Sequence, residues 1–297
     1  MSSFSENYIN PFIDYLKKSK NFSQRTLQSY RTDLEQFSKS CQINSIQEIN
    51  EQLLREYLRN LSKQNFAETT IKRKASSFRT FYNFLQKKKL FQGNPTTKII
   101  SPKIPTKVPS FIRLNELELL FQSCNHNKMN YDQLLGYTLF NFLLFTGARR
   151  AEAINCKQNQ IDLQKSQIKL KGKGNKERLC PILPTLKEIL EKYISTKKEH
   201  NLPEEYLFCN KKAKPLYPKY VYNSIQKTLS QISKSSKKSP HVLRHTFATL
   251  LLQNGADLNT IKNLLGHSSL TSTQIYAQVD IKFLKDTHEK AHPNNKN

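Results

Sequence analysis

Four prolines fall within fifteen residues, Pro95, Pro102, Pro105 and Pro109, and they decide how the chain can divide. Each lacks an amide hydrogen and pushes the residue before it toward extended backbone. No helix or central strand can run through the intervening text, TTKIISPKIPTKV. We therefore expect a linker over 94–110 between an amino domain, 1–93, and a carboxyl domain, 111–297. Two domains of ordinary size suit a chain of 297 residues.

The amino part reads as four helices. Asn10-Pro11 looks like a cap followed by a helix-starting proline, with Phe12, Ile13 and Leu16 inward. Ser23 can cap a second helix with Leu27, Tyr30, Leu34 and Phe37 on one stripe. Asn50 can cap a third, bearing Leu53, Leu54, Tyr57, Leu58 and Leu61. A fourth runs from about Thr69 to Lys87 with Ile71, Phe78, Phe81, Tyr82 and Leu85 inward. Between 66 and 90 stand seven Lys or Arg and one Glu. A helix held by i,i+4 ion pairs would carry more acids. Lys72, Arg73, Lys74 and Arg79, off the apolar stripe, are candidate phosphate contacts.

The carboxyl part is mixed. Helical patterns cover about 114–124, 131–146, 185–196, 218–232, 241–254, 257–265 and 271–277. Ile168-Lys-Leu170 and Leu179-Cys-Pro-Ile182 flank a glycine turn, so a β-hairpin is expected there, with Lys173 at its tip.

Composition narrows the partner. Lys and Arg number 48 against 23 Asp and Glu, a formal charge of +25. Such an excess favours a polyanion, nucleic acid before an anionic membrane. No stretch approaches a membrane span. The polar start, MSSFSENYIN, lacks the order of a secretory signal. The five cysteines are scattered, with no C-x-x-C pair, which argues against a disulfide framework or a zinc ribbon. The chain reads as cytoplasmic.

Common catalytic sets are missing from the sequence. It has no phosphate-binding glycine loop, no H-E-x-x-H, no close carboxylate cluster for two magnesium ions and no G-x-S-x-G elbow. No cofactor and no metal is expected. If the chain works on a phosphodiester, arginine, lysine and histidine must meet the charge that builds on phosphorus. Arg149 and Glu152 stand where one helix ends and another begins. His241 and Arg244, three apart, share a face near the amino end of a helix, where the dipole adds positive potential. His267 follows a glycine stop, and Tyr276 comes nine residues later. Singly, each has a structural alternative: a half-buried tyrosine, a surface arginine, a buried histidine, an ordinary turn lysine.

The ordered set is more specific. Thr146-Gly-Ala-Arg149-Arg-Ala-Glu152, Gly172-Lys173-Gly-Asn-Lys-Glu-Arg178, Ser239-Pro-His241-Val-Leu-Arg244-His-Thr-Phe-Ala-Thr249 and Leu265-Gly-His267-Ser-Ser-Leu-Thr-Ser-Thr-Gln-Ile-Tyr276 follow one another in the chain. In order and spacing they resemble the tyrosine recombinases of the phage integrase family, Xer type. Thr70-Ile-Lys-Arg-Lys and Gly93-Asn-Pro95 resemble that group's core-binding domain and its exit, so the likeness covers nearly the whole chain. Two departures are Ala148, where the family more often has a larger aliphatic residue, and Gln278, where histidine is frequent.

The resemblance implies an all-α, SAM-like four-helix core-binding domain and a mainly α catalytic domain with a small β-sheet, the DNA breaking-rejoining fold. It implies that Tyr276 attacks phosphorus to give a 3′-phosphotyrosine, with His241 or a water it holds as base. Arg149, Arg244 and His267 would bind the phosphoryl oxygens, Lys173 would protonate the leaving 5′-oxygen, and Glu152 would orient its neighbours. The implied partner is double-stranded DNA, clamped between the two domains. A homo- or hetero-tetramer would assemble on two sites, with a paralogous recombinase and a septal DNA translocase among the candidate partners. The tail, 280–297, would dock on a neighbouring protomer. Resolution of chromosome dimers at a dif-like site is the expected role. A mobile-element integrase, a type IB topoisomerase and an inactive DNA-binding relative are the alternatives.

Overall fold

In a computed structural model of the chain, the described residues are 4–20, 22–99, 111–123, 128–172, 177–232 and 238–266. Contacts divide the chain into two units, Met1–Lys107 and Val108–Asn297.

The amino unit is helical. It contains α1 (Asn10–Lys20), α2 (Gln24–Ser40), α3 (Glu51–Lys63) and α4 (Glu68–Lys87). Ser23 caps α2 by accepting from the Thr26 amide, and Asn50 caps α3 by accepting from Leu53 at 2.8 Å. Phe12, Leu34, Phe37, Phe78, Phe81 and Tyr82 are fully buried where the helices meet. Phe37 and Phe78 lie 4.9 Å apart and Phe12 and Phe81 5.2 Å, centroid to centroid.

The expected start of α1 needs correction. Asn10 is not a cap, because a π-helical turn, Ser5–Ile9, runs directly into α1 and the Asn10 amide donates to Ser5. Buried Phe4 and Ile9 explain this: they hold the preceding segment on the core, where Phe4 meets the ring of Phe81. The Asn10 side chain instead accepts from Arg31 at 2.6 Å.

Lys74 is a second correction. It is 1 % exposed, so it does not lie on a solvent face. Its Nζ is 3.1 Å from Oδ1 of the fully buried Asp33 and donates to Gln36 at 2.7 Å, both on α2. A buried carboxylate needs a paired cation, and α4 supplies one from its inner edge. Arg73 also pairs with Asp33 but keeps much of its side chain exposed. Lys72 is exposed, and half-buried Arg79 donates to the Ile99 carbonyl at 2.5 Å.

That bond belongs to a turn that packs residues 94–99 onto the amino unit. Asn94 Oδ1 accepts from the amide and hydroxyl of Thr96, and Ile99 is buried. The first six residues of the expected linker therefore form part of the helical unit's surface. Residues 100–110 lie outside the described set.

The second unit surrounds α6 (Tyr131–Thr146), a helix apolar on nearly every side and buried along most of its length. Asn130 and Gln133 close its amino end as a reciprocal capping box. Around it pack α8 (Pro184–Glu199), α9 (Pro218–Ile232) and α10 (Pro240–Gln253). Among the described residues the short helices α5 (Leu114–Ser123), α7 (Arg150–Ile154) and α11 (Leu258–Leu265) are the remaining α-helices of this unit. A three-stranded antiparallel sheet runs in the order β1 (Ile161–Asp162), β2 (Gln167–Lys171), β3 (Glu177–Pro181). Ile168 pairs with Cys180 and Lys171 with Glu177, so β2 and β3 are the expected hairpin. The two-residue β1 was not anticipated, being too short to show alternation. The hairpin tip and the expected helix at 271–277 lie outside the described residues.

Candidate active site

The site is assembled where α6 ends. Gly147 closes that helix in the left-handed conformation, φ +57°. A Cβ there would come within 2.6 Å of the Phe247 ring and 3.0 Å of Leu265. Both backbone angle and space therefore require glycine. The sharp exit sets Arg149 as the extended residue that opens α7. One turn on, Glu152 folds back, and its Oε2 accepts from the Arg149 amide at 2.8 Å while Oε1 accepts from Arg149 Nη1 at 2.8 Å.

Two further arginines converge on the same carboxylate region. Arg178 of β3 donates from Nη2 to Glu152 Oε2 at 2.8 Å, with both side chains buried. Arg244 of α10 is also buried. Its Nη1 donates to the Gly147 carbonyl and its Nη2 to the Leu265 carbonyl, each at 2.6 Å. Leu265 is the last residue of α11, which Gly266 closes with φ +64°. The Gly266 carbonyl in turn lies 3.4 Å from Arg149 Nη2. The carbonyls at and beside two glycine-capped helix ends thus orient Arg149 and Arg244.

The electrostatics follow from this crowding. Burial works to raise the Glu152 carboxyl, but Arg178 and Arg149 outweigh it and hold the group below the usual carboxylate range. Burial, then Arg149 and Arg178, draw Arg244 down from 12.5 to about 10, so it still carries its proton at neutral pH. Three guanidinium groups against one carboxylate leave a local excess of two positive charges, a site short of an anion. His241, exposed at the amino end of α10, is lowered by partial shielding of its ring and by Arg150, His245, Arg244 and Arg149. It is therefore held neutral, with a ring nitrogen able to accept a proton. Among the described residues no three His, Cys, Asp or Glu side chains gather as a metal site would need.

Arg149, Glu152, His241 and Arg244 thus come to one region. Lys173, His267 and Tyr276 lie outside the described residues. Arg178 was present in the hairpin motif but not singled out as a site residue. Strand alternation could have found it: the register that buries Cys180 also turns Arg178 inward, where a charge demands a partner.

Residues 110–282 match the Phage integrase family, and residues 9–89 match Phage integrase, N-terminal SAM-like domain. The chain is 35 % identical over 289 residues to Tyrosine recombinase XerC of Listeria innocua, covering 95 % of this chain and 96 % of that one. With XerC of Bacillus subtilis it shares 33 % over 296 residues, covering 97 % of each. Among solved structures it resembles XerH site-specific recombinase bound to difH substrate, a pre-cleavage complex, with a TM-score of 0.66 and 26 % identity over 91 % of this chain and 81 % of that one. It also shares the fold of the Tn1549 transposon integrase in complex with transposon right end DNA, with a TM-score of 0.70 at 16 % identity over 95 % and 98 %. The chain belongs to the phage integrase family and is a site-specific tyrosine recombinase, a DNA strand transferase.

Proposed function

We propose that the arginine cluster receives the scissile phosphate of duplex DNA and that Tyr276 is the nucleophile. The Tyr276 oxygen bonds to phosphorus, the bond from phosphorus to the 5′-oxygen breaks, and a 3′-phosphotyrosine remains. The phenol proton passes to His241, directly or through a water. The leaving 5′-oxygen takes a proton from Lys173. Arg149 and Arg244 stabilise the non-bridging oxygens, His267 adds a hydrogen bond, and Glu152 orients Arg149. An incoming 5′-hydroxyl reverses the sequence, so rejoining needs no ATP, and we propose that it needs no metal.

The observation that carries this reading is the local excess of positive charge: Arg149, Arg178 and Arg244 face a single carboxylate, Glu152. A phosphoryl group that gains charge on its way to five-coordinate phosphorus is the ligand such a site stabilises best. A neutral histidine beside it supplies the base.

The likeness to XerC proteins, and to a XerH complex with difH, favours a dif-like chromosomal site and resolution of chromosome dimers. Exchange between two duplexes requires four protomers, of one protein or two, and a septal DNA translocase is a fitting activator. A mobile-element integrase is the second reading. Its support is the fold shared with a transposon integrase at 16 % identity, weaker than 35 % to a XerC.

The test is a duplex carrying the dif-like site, nicked so that cleavage traps the protein. Wild type should form a covalent adduct in the presence of EDTA. Tyr276→Phe should form none while binding DNA as before. An adduct that persists in the variant, mapped to another tyrosine, rejects the assignment.

A further inference from the structure

Arg178 adds its charge to the cluster but touches no reacting atom in the chemistry just described, yet it is the most deeply buried of the arginines around Glu152. It is 7 % exposed as a residue, and Nη2 binds Glu152 Oε2 at 2.8 Å. Among the described residues its buried Nε has no hydrogen-bond partner. A Cβ on Gly266 would lie 3.3 Å from Arg178 Cδ and Nη1, so the side chain runs close under the glycine that ends α11. Arg149, by contrast, keeps a third of its side chain exposed.

The charge count gives this arrangement a purpose. Arg149 and Glu152 alone would neutralise each other, and Arg149 would offer a phosphate little net charge. A second cation on the same carboxylate leaves the trio with a net charge of +1. It also fixes the carboxylate plane, and hence the Arg149 fork that Oε1 holds. We propose that Arg178 is a positioning residue for strand cleavage: through Glu152 it aims Arg149 at the scissile phosphate and keeps that pair cationic.

This inference rests on the reading of Arg149 as a phosphate-binding group. It predicts a pH signature. The titratable groups around Glu152 are Arg149 at the start of its own helix, Arg178 and the Cys180 thiol on β3, and Arg244 on α10. Of the other helices packed against α7, α6 carries one charged residue, Asp132 in its first turn, beside Tyr131 and Tyr137, and α9 carries exposed Lys219 and Lys227 beside Tyr220 and Tyr222. Burial pushes the Cys180 thiol up to about 12, so it stays neutral. Arg178 is the cause first in size among those that keep Glu152 ionised. Without its charge, burial dominates and Glu152 takes up a proton at a higher pH, releasing its hold on Arg149.

The experiment uses the full chain and a nicked duplex on which wild type forms its adduct. Single-turnover cleavage is followed between about pH 5 and 9 for wild type, Arg178→Lys, Arg178→Gln, Glu152→Gln and the double variant R178Q/E152Q. Both substitutions at 178 keep a donor for Glu152, and only lysine keeps the charge. Arg178→Gln should cleave about 10–100-fold more slowly, the scale of a misplaced catalytic group. Its rate should fall further toward acid, while its affinity for the duplex stays within a few-fold. Arg178→Lys should recover much of the rate and lose the extra acid limb. In the Glu152→Gln background, Arg178→Gln should cost little more. Equal rates and equal pH profiles for the Lys and Gln variants would overturn the proposal. So would losses that multiply in the double variant, since Arg178 would then act independently of Glu152. Should the Gln variant not fold, Arg178→Lys decides alone: a cleavage rate as low as that of Glu152→Gln across the whole pH range would refute the proposal equally. Failure of wild type to form an adduct would instead reject the catalytic reading on which the proposal stands.

Discussion

Arg244 on α10 donates to the carbonyl of Gly147, 97 residues earlier, at 2.6 Å, and its other terminal nitrogen takes the carbonyl of Leu265. One planar fork thus ties the ends of α6 and α11 together while holding a positive charge in the site. Lysine has no such fork. Arg244→Lys should therefore lose about 10²-fold in cleavage rate, the usual scale for one transition-state donor, and also melt at lower temperature. Arg149→Ala should lose a similar factor in rate with a smaller drop in melting temperature, because Arg149 is partly exposed and Arg178 still pairs Glu152. Single-turnover cleavage and thermal melting, measured together, separate the two. Wild-type cleavage by Arg244→Lys would remove Arg244 from the catalytic set.

Gly147 can be tested against another left-handed glycine. Both Gly147 (φ +57°) and Gly255 (φ +89°) would strain an alanine's backbone. A Cβ at Gly255 meets open space, whereas at Gly147 it meets Phe247 at 2.6 Å. Gly147→Ala should be the more destabilising by about 1–3 kcal/mol, the cost of overpacking a rigid neighbour. Chemical denaturation of the two variants checks this, and equal losses would show that the ring of Phe247 moves aside.

The acid limb of the cleavage profile should report His241. A base must be neutral, and it is neutral above its pKa. Burial and then Arg150 draw His241 below 6.5, so cleavage should hold as pH falls to about that value and decline only beneath it. Arg150→Gln removes the largest charge contribution and should move the limb to higher pH. The same depression makes folding less stable as pH drops below 6.5, because the unfolded chain then binds the proton more readily. A limb unmoved by Arg150→Gln would mean that another group titrates.

The fold and the site were legible to different depths, for physical reasons. Ser23 and Asn50 were read correctly as caps because their signal is local: one side chain satisfies an amide three residues on. The hairpin was legible from the alternation of Ile168 and Leu170 with lysines. Asn10 misled because what displaced its cap lies upstream, in the packing of Phe4 and Ile9. Lys74 misled because its partner, Asp33, is on another helix, and no spacing within α4 reveals it. The site motifs pointed to Arg149, Glu152, His241 and Arg244. They did not reveal that Glu152 would be shared by two arginines, which is a property of how β3 packs against α7.

The corrected place of Lys74 reshapes the test of DNA binding by α4. Phosphate contacts release counterions, so the logarithm of affinity falls linearly with that of salt, by about 0.9 per phosphate neutralised. Lys72 is exposed and Arg73 largely so, whereas Lys74 is sealed against Asp33. Lys72→Ala should therefore make the salt slope shallower by about 0.9 if it neutralises one phosphate. It should weaken random and specific DNA alike and leave the melting temperature nearly unchanged. Lys74→Ala should do the reverse. It leaves Asp33 buried with only Arg73 beside it, so stability should fall toward the roughly 3–5 kcal/mol of a broken buried pair while the slope stays that of wild type. Changing 72, 73 and 74 together would confound the two effects, so the single variants are titrated separately, each with its melting curve. A wild-type slope for Lys72→Ala would make α4's exposed face a solvated surface only. A shallower slope for a fully folded Lys74→Ala would mean that binding draws Lys74 out of its pair with Asp33.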